Sequence, residues 1–207
     1  MIKIAVTGKA DKRIITYPFM RACSIAGRTW VITDDVAYKR LYSGNENCGE
    51  IESIQIHVIP SMSPEEIDVI EEQAAKNETE YLIYITDSYI KHKADYVLML
   101  CERNRDFLGS YIEDIAEEQE NITFGTIMLY PQKNNKLVDG IQIYQVGWRP
   151  EFSMYLLQVE EQKQLLPLKD KSVSTLLAAA FAQALDLKAA SFYELLKRKR
   201  YRYTKKD

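Results

Sequence analysis

Two stretches of this sequence hold residues whose types and spacing suit chemistry. The first is Gly8-Lys9-Ala10-Asp11-Lys12-Arg13, directly after the apolar run Ile2–Thr7. It lies where a strand gives way to a helix, and a βαβ unit usually holds its ligand at that turn, against the helix N-terminus. The turn has a single glycine, so the expected phosphate-wrapping chemistry is missing from it. The second stretch is Lys197 to Lys206, with seven basic residues in ten positions. Lys197, Arg198, Lys199, Arg200 and Arg202 can neutralise the phosphates of DNA, and Tyr201 and Tyr203 between them can stack on bases. The same side chains suit anionic lipid headgroups on a membrane surface. A plainer role is also open: cations near the C-terminus of a last helix complement its dipole.

The elements that position the first stretch can be read from periodicity. Ile2, Ile4, Ala5 and Val6 form a short buried strand. Tyr17 to Ala26 is helical, ended by Gly27, and a second strand at 29–33 runs into Asp34-Asp35. Residues 36–53 read as a helical turn and a polar loop. Further strands are predicted at 54–59, 81–86 (closed by Asp87), 95–101, 122–130 and 141–146. Ser63 at the N-cap, Pro64 at the first helical position and Glu65-Glu66 in the first turn start a helix that runs to about Asn77. Arg105 to Glu120 is an amphipathic helix, and Glu151 to Gln164 is helical. Leu165-Leu166-Pro167-Leu168 interrupts, and Ser172 to Leu196 is one long helical pattern. Continuous apolar strands alternating with helices imply an α/β fold: a single domain, mainly parallel twisted sheet, helices on both faces. The domain covers residues 1–196, and 197–207 form a basic C-terminal tail.

Composition narrows the class. The chain has 207 residues, 46% hydrophobic and 28% charged, an ordinary globular balance for one α/β domain. The net charge of −3 conceals an asymmetry: 197–207 hold seven basic residues and one acid, so the other 196 residues hold 20 basic and 29 acidic side chains, a net of −9. An acidic body with a basic tail implies a separate partner for the tail. The chain enters a strand at once, which argues against a signal peptide, and no apolar run nears the ~18 residues of a membrane span. Cys23, Cys48 and Cys101 are widely spaced without a CxxC pair, which suits buried thiols in a reducing cytoplasm. His57 and His92 stand apart, so neither is assigned to metal or catalysis. The Glu65/Glu66, Glu71/Glu72 and Glu117/Glu118 pairs read as solvated helix faces.

Several stretches together resemble the ParA/MinD family of deviant-Walker P-loop ATPases. Ile2–Thr7 with Gly8-Lys9 resembles the first strand and the start of the family's KGGxxGK[ST] loop. Ala26 to Asp35 is similar to its second strand, Tyr81–Asp87 to its Walker B strand, and Ala94 to Leu100 to the strand after that. Glu160 to Leu185 is similar to the terminal segment, with its Pro-Leu element and Ala-rich helix. The resemblance implies a ParA/MinD-like fold over roughly residues 1–190. It matches Lys9 to the signature lysine, Lys12 to the P-loop lysine, and Asp35 and Asp87 to positions serving metal and water.

The departures bear on function. A P-loop needs glycines for backbone wrapping, a lysine for the β/γ-phosphates and a Ser/Thr hydroxyl for Mg²⁺. Here only Gly8 is left, the loop is about two residues short, Asp11 adds a negative charge, and Arg13 rather than Ser/Thr follows Lys12. Gly8, Lys9, Lys12, Asp35 and Asp87 therefore read as a vestigial nucleotide site without a catalytic residue, a cofactor or a metal. The implied function is a non-catalytic ParA/MinD-like scaffold or positioning protein of a bacterial assembly, secretion or DNA-partition system. It would act in the cytoplasm or peripherally at membrane or nucleoid. It would form a homodimer, or a heterodimer with a related ATPase, through the old nucleotide face. The alternative is a divergent active ATPase binding Mg-ATP through Lys9 or Lys12. A plain flavodoxin-like binding domain would share the same element pattern.

Overall fold

The computed structural model describes residues 1–87, 94–102, 123–129, 143–182, 185 and 188–197. Among the described residues, eight strands form one sheet in the order β3-β4-β2-β5-β1-β6-β7-β8. They are β1 (Ile2–Thr7), β2 (Thr29–Thr33), β3 (Cys48–Ile51), β4 (Ile54–Val58), β5 (Tyr81–Thr86), β6 (Tyr96–Glu102), β7 (Thr123–Leu129) and β8 (Ile143–Val146). All neighbours are parallel except β3 and β4. The expected parallel α/β sheet is therefore present, with an antiparallel strand added at one edge. β1 lies between β5 and β6, and the chain passes from β1 to β2 on one side and from β5 to β6 on the other. The strand order thus reverses around β1, the place where open α/β sheets bind ligands.

Alternation along the central strands divides their side chains between two faces. Ile4, Val6, Val31, Ile83, Ile85, Leu98 and Leu100 join one apolar core. That core is covered by α1 (Arg13–Ala26), α3 (Pro150–Gln162), α4 (Lys171–Phe181) and α5 (Ala189–Lys197). Ala5, Trp30, Ile32, Leu82, Tyr84 and Val97 join the other, with Ile67 and Ala74 of α2 (Pro64–Lys76). The helix expected over Arg105–Glu120 lies outside the described residues.

Ser63 caps α2 as expected: its Oγ accepts from the Glu66 N–H at 3.2 Å and its hydroxyl reaches Glu66 Oε2 at 3.3 Å, with Pro64 at the first position. The second half of the 36–53 stretch differs from its expected polar loop. Val36–Leu41 is a 3-10 helix, but Cys48–Ile51 is a strand. The hairpin turns through Glu52 and Ser53, both at positive φ (46° and 65°). That is the sense of a tight hairpin turn, yet Glu-Ser carries none of the Asn-Gly chemistry by which such turns are recognised. Cys48 consequently sits exposed on the edge, against its expected burial, whereas Cys23 is buried. Glu71 also departs from its expected solvated face: it accepts from Lys3 Nζ at 2.5 Å and from the Tyr84 hydroxyl at 2.5 Å.

The helical pattern from Ser172 to Leu196 is two helices, not one. Phe181 and Phe192 both pack on Phe19 of α1, with ring centroids at 3.8 and 6.2 Å, and lie 6.5 Å from each other. Eleven residues of straight helix would separate them by roughly 16 Å. The chain must turn back to bring both rings to one place. Buried Arg21 of α1 secures this layer: its guanidinium donates to the Leu165 carbonyl at 2.9 Å and the Leu195 carbonyl at 3.2 Å. The Leu165–Leu168 interruption thus forms part of the packing, with the Tyr155 hydroxyl donating to the Leu166 carbonyl at 3.0 Å.

Candidate functional site: the cleft at the ends of β1, β2 and β5

The turn after β1 begins at Gly8, whose φ is +114°. A Cβ there would lie 1.9 Å from the Leu100 carbonyl oxygen of β6. Glycine is demanded at this position by the neighbouring strand, whatever the turn binds. The Ala10 N–H donates back to the Gly8 carbonyl at 3.0 Å.

The N-terminus of α1 is occupied from within the chain. Asp11 Oδ1 accepts from the Arg13 backbone N–H at 3.2 Å, and the Arg13 guanidinium clamps the same carboxylate at 2.9 and 2.7 Å. A carboxylate at a helix N-terminus is favourable in the helix field. Burial pushes the Asp11 pKa up, but the bonds and charge of Arg13 outweigh it and hold the carboxyl below its ordinary range. Arg13 also donates to Glu160 of α3 at 2.7 Å, the Tyr17 hydroxyl donates to the same oxygen at 3.1 Å, and Arg40 approaches Glu160 Oε2 at 3.5 Å. Burial, followed by the charges around it, pushes the Tyr17 pKa far up, so this hydroxyl stays protonated.

Lys12 is 2% exposed. Its Nζ donates to the Ala10 carbonyl at 3.3 Å and forms an ion pair with Asp87 at the end of β5, a residue 59% exposed. Thr16, the next hydroxyl along, faces inward: it donates to the Lys12 carbonyl at 3.0 Å and shares a hydrogen bond with the buried Tyr38 hydroxyl. Asp34 bridges β2 and β5, accepting from the Thr86 hydroxyl at 2.5 Å and the Asp87 N–H at 3.3 Å. Asp35 caps the 3-10 helix through the Ala37 N–H at 2.8 Å.

These side chains surround a cleft of about 600 Å³, lined by Lys9, Lys12, Asp34, Asp35 and Asp87 with Ala10, Val36 and Pro60. The fold thus brings Lys9, Lys12, Asp35 and Asp87 together from three strand ends. Gly8 stands behind the cleft, where it shapes the turn against β6. Three residues were missed from sequence. Asp34 makes the bridge from β2 to β5 that the Asp-Asp pair left ambiguous, and Arg13 and Glu160 join across 147 positions without any local signal. Two lysines facing three carboxylates make the cleft a mixed-charge surface, not the uniformly positive cradle a polyphosphate requires.

Elsewhere, Lys197 ends α5 with its Nζ 4.0 Å from the Tyr193 ring centre, a cation–π contact. Arg198, Lys199, Arg200 and Arg202 lie outside the described residues, as does His92. His57 stacks on Trp30 at 5.0 Å, and burial lowers its pKa. Among the described residues, no three His, Cys, Asp or Glu side chains gather as a metal site, and no helix is long and apolar enough to cross a membrane.

Compared with solved structures, nine tenths or more of the chain aligns with proteins of the ParA/MinD type. A chain of the Aquifex aeolicus MinC:MinD cell division protein complex matches with a TM-score of 0.59 at 12% identity, over 98% of this chain and 100% of that one. A plasmid partition protein of Borrelia burgdorferi bound to AMPPNP matches at 0.57 and 11%, over 95% and 97%. Aquifex aeolicus MinD matches at 0.55 and 10%, over 90% and 96%. No family model and no curated protein sequence matches the chain. The fold is therefore the ParA/MinD fold implied by the strand and loop resemblance, at identities that speak for architecture alone.

Proposed function

We propose that this chain, built on a ParA/MinD-type fold, is a scaffold or positioning protein that does not turn over ATP. The observation that carries this reading is Arg13. It stands directly after Lys12, where phosphoryl transfer needs a hydroxyl to hold Mg²⁺, and its guanidinium is engaged by Asp11 and Glu160. Thr16 does not substitute, because its hydroxyl is turned to Lys12 and Tyr38. Positioned phosphates and metal supply most of the rate in this chemistry, so their loss removes turnover even where a nucleotide still enters.

The partnership follows from the same face. The cleft at the ends of β1, β2 and β5 is the surface through which the protein meets a second copy or a related ATPase. Its setting is a bacterial assembly, secretion or DNA-partition system, in the cytoplasm or at the edge of membrane or nucleoid. The basic segment from Lys197 onward gives the acidic body an anionic partner, DNA or lipid.

A divergent ATPase is the second reading, favoured by one observation: Lys9 and Lys12 both line the same cleft of about 600 Å³. Turnover of Mg-ATP separates the two. The proposed reading expects none above background. Sustained turnover that disappears in Lys12→Ala would replace it with the second.

A further inference from the structure

We propose that Cys48 and His57 form a binding site for a soft monovalent metal ion of the Cu(I) class at the β3–β4 edge of the sheet. Neither residue lines the cleft at the ends of β1, β2 and β5. The two stand nine positions apart, and the hairpin makes them direct partners across antiparallel strands. The Val58 N–H donates to the Asn47 carbonyl at 2.7 Å, which makes Cys48 and His57 a non-hydrogen-bonded pair. Side chains approach most closely in such pairs. Cys48 Sγ lies 3.9 Å from His57 Nε2, and the thiol donates to Gln55 Oε1 at 3.6 Å. Cys48 is exposed, so an ion reaches it from solvent. The His57 ring is stacked on Trp30, with centres 5.0 Å apart, so one donor is held in place before the ion arrives. Both donors line a cavity of about 570 Å³ whose walls include Ile59 of the strand end and Val69 and Ile70 of α2.

The donor set selects the ion. Thiolate and imidazole together suit Cu(I) and Zn(II) and disfavour Mg²⁺ and Ca²⁺. Zn(II) takes at least three protein ligands, and among the described residues no third His, Cys, Asp or Glu joins this pair. With a metal–sulfur bond of about 2.3 Å and a metal–nitrogen bond of about 2.0 Å, the donors stand about 3.5 Å apart at a tetrahedral angle and about 4.3 Å apart in a straight line. The separation of 3.9 Å falls between these and corresponds to an angle of about 130°. That angle fits the low coordination of a soft monovalent ion without movement of the backbone. Burial lowers the His57 pKa, which keeps the imidazole neutral, whereas burial and then the charge of Glu46 raise that of Cys48. Binding therefore breaks the S–H bond, forms the metal–thiolate bond and releases one proton to water, with no change of oxidation state.

The test uses the full-length chain and Cu(I) delivered anaerobically from a chromophoric chelator, which reports affinity by competition. Trp148→Phe leaves Trp30 as the single tryptophan, whose fluorescence reads the ring stacked on it. One equivalent of Cu(I) is expected to bind, quench Trp30 and raise the melting temperature by mass action. Cys48→Ser should abolish the quenching, and His57→Gln should weaken binding by at least about tenfold. Circular dichroism checks that each variant folds. Because His57 packs on Trp30, the wild-type chain supplies a measurement that needs no variant. It has only two histidines, and the ¹⁵N resonances of the His57 ring should shift on addition of Cu(I). Zn(II) at the same concentration should leave both signals unchanged. Unmoved His57 resonances, full binding in Cys48→Ser, or tighter binding of Zn(II) than of Cu(I) overturns the assignment.

Discussion

Gly8 provides the sharpest check on how the loop is built. Changing it to Ala should destabilise the protein through two separable effects. The first is backbone strain: φ is +114°, a conformation that L side chains rarely adopt, costing about 1–3 kcal/mol. The second is collision: the new Cβ would sit 1.9 Å from the Leu100 carbonyl, against the 3.4 Å at which ordinary contact begins. Leu100 lies in the middle of the sheet, in a strand paired on both sides, so relief requires moving β6. Overpacking of that kind costs about 1–3 kcal/mol more. Gly44 is the internal control, with φ +118° and nothing within 4 Å of its Cβ position. Gly44→Ala samples the strain alone. Urea unfolding followed by circular dichroism should show Gly8→Ala losing at least about 3 kcal/mol, and Gly44→Ala clearly less. At this chain length the former corresponds to a drop of about 6–12 °C in melting temperature. Equal losses in the two variants would refute the collision. A loss under about 0.5 kcal/mol for Gly8→Ala would refute both effects and return Gly8 to a role in ligand binding alone.

Two further outcomes are expected. Asp11 has a folded-state pKa below its ordinary value of 3.8, so it contributes stability above that pH and loses it as pH falls through the lower folded value. The urea midpoint of wild type should therefore exceed that of Asp11→Asn at pH 5 and above, and the gap should close on acidification below about pH 3.8; a gap that widens instead contradicts the clamp by Arg13. Deleting residues 198–207 should leave the melting temperature nearly unchanged and abolish binding to DNA or anionic vesicles, binding that in the intact chain weakens steeply with salt. A deletion that lowers the melting temperature, in a protein that ignores both ligands at low salt, makes the tail structural.

Much of the architecture was already determined by local pattern. Runs such as Tyr-Leu-Ile-Tyr-Ile over 81–85 are continuously apolar, which only a strand covered on both faces tolerates, and Ser63-Pro64 starts a helix by capping chemistry contained in a few adjacent positions. For the same reason the loop at 8–13 and the strand-end aspartates could be located: a parallel sheet gathers its strand ends whatever the details. What tertiary structure decided depends on groups far apart in sequence. Gly8 is needed because of a carbonyl 92 positions away. Lys12 has a counter-charge because β5 ends beside β1, and Arg13 is turned from the cleft by a glutamate on α3. The β3 hairpin and the break between α4 and α5 were invisible for a related reason. The first uses a turn without turn residues, and the second exists because two phenylalanines must meet a third. Periodicity records which face of an element is apolar. It does not record which partner covers that face or which charge neutralises a buried lysine, because those follow from where the rest of the chain is placed.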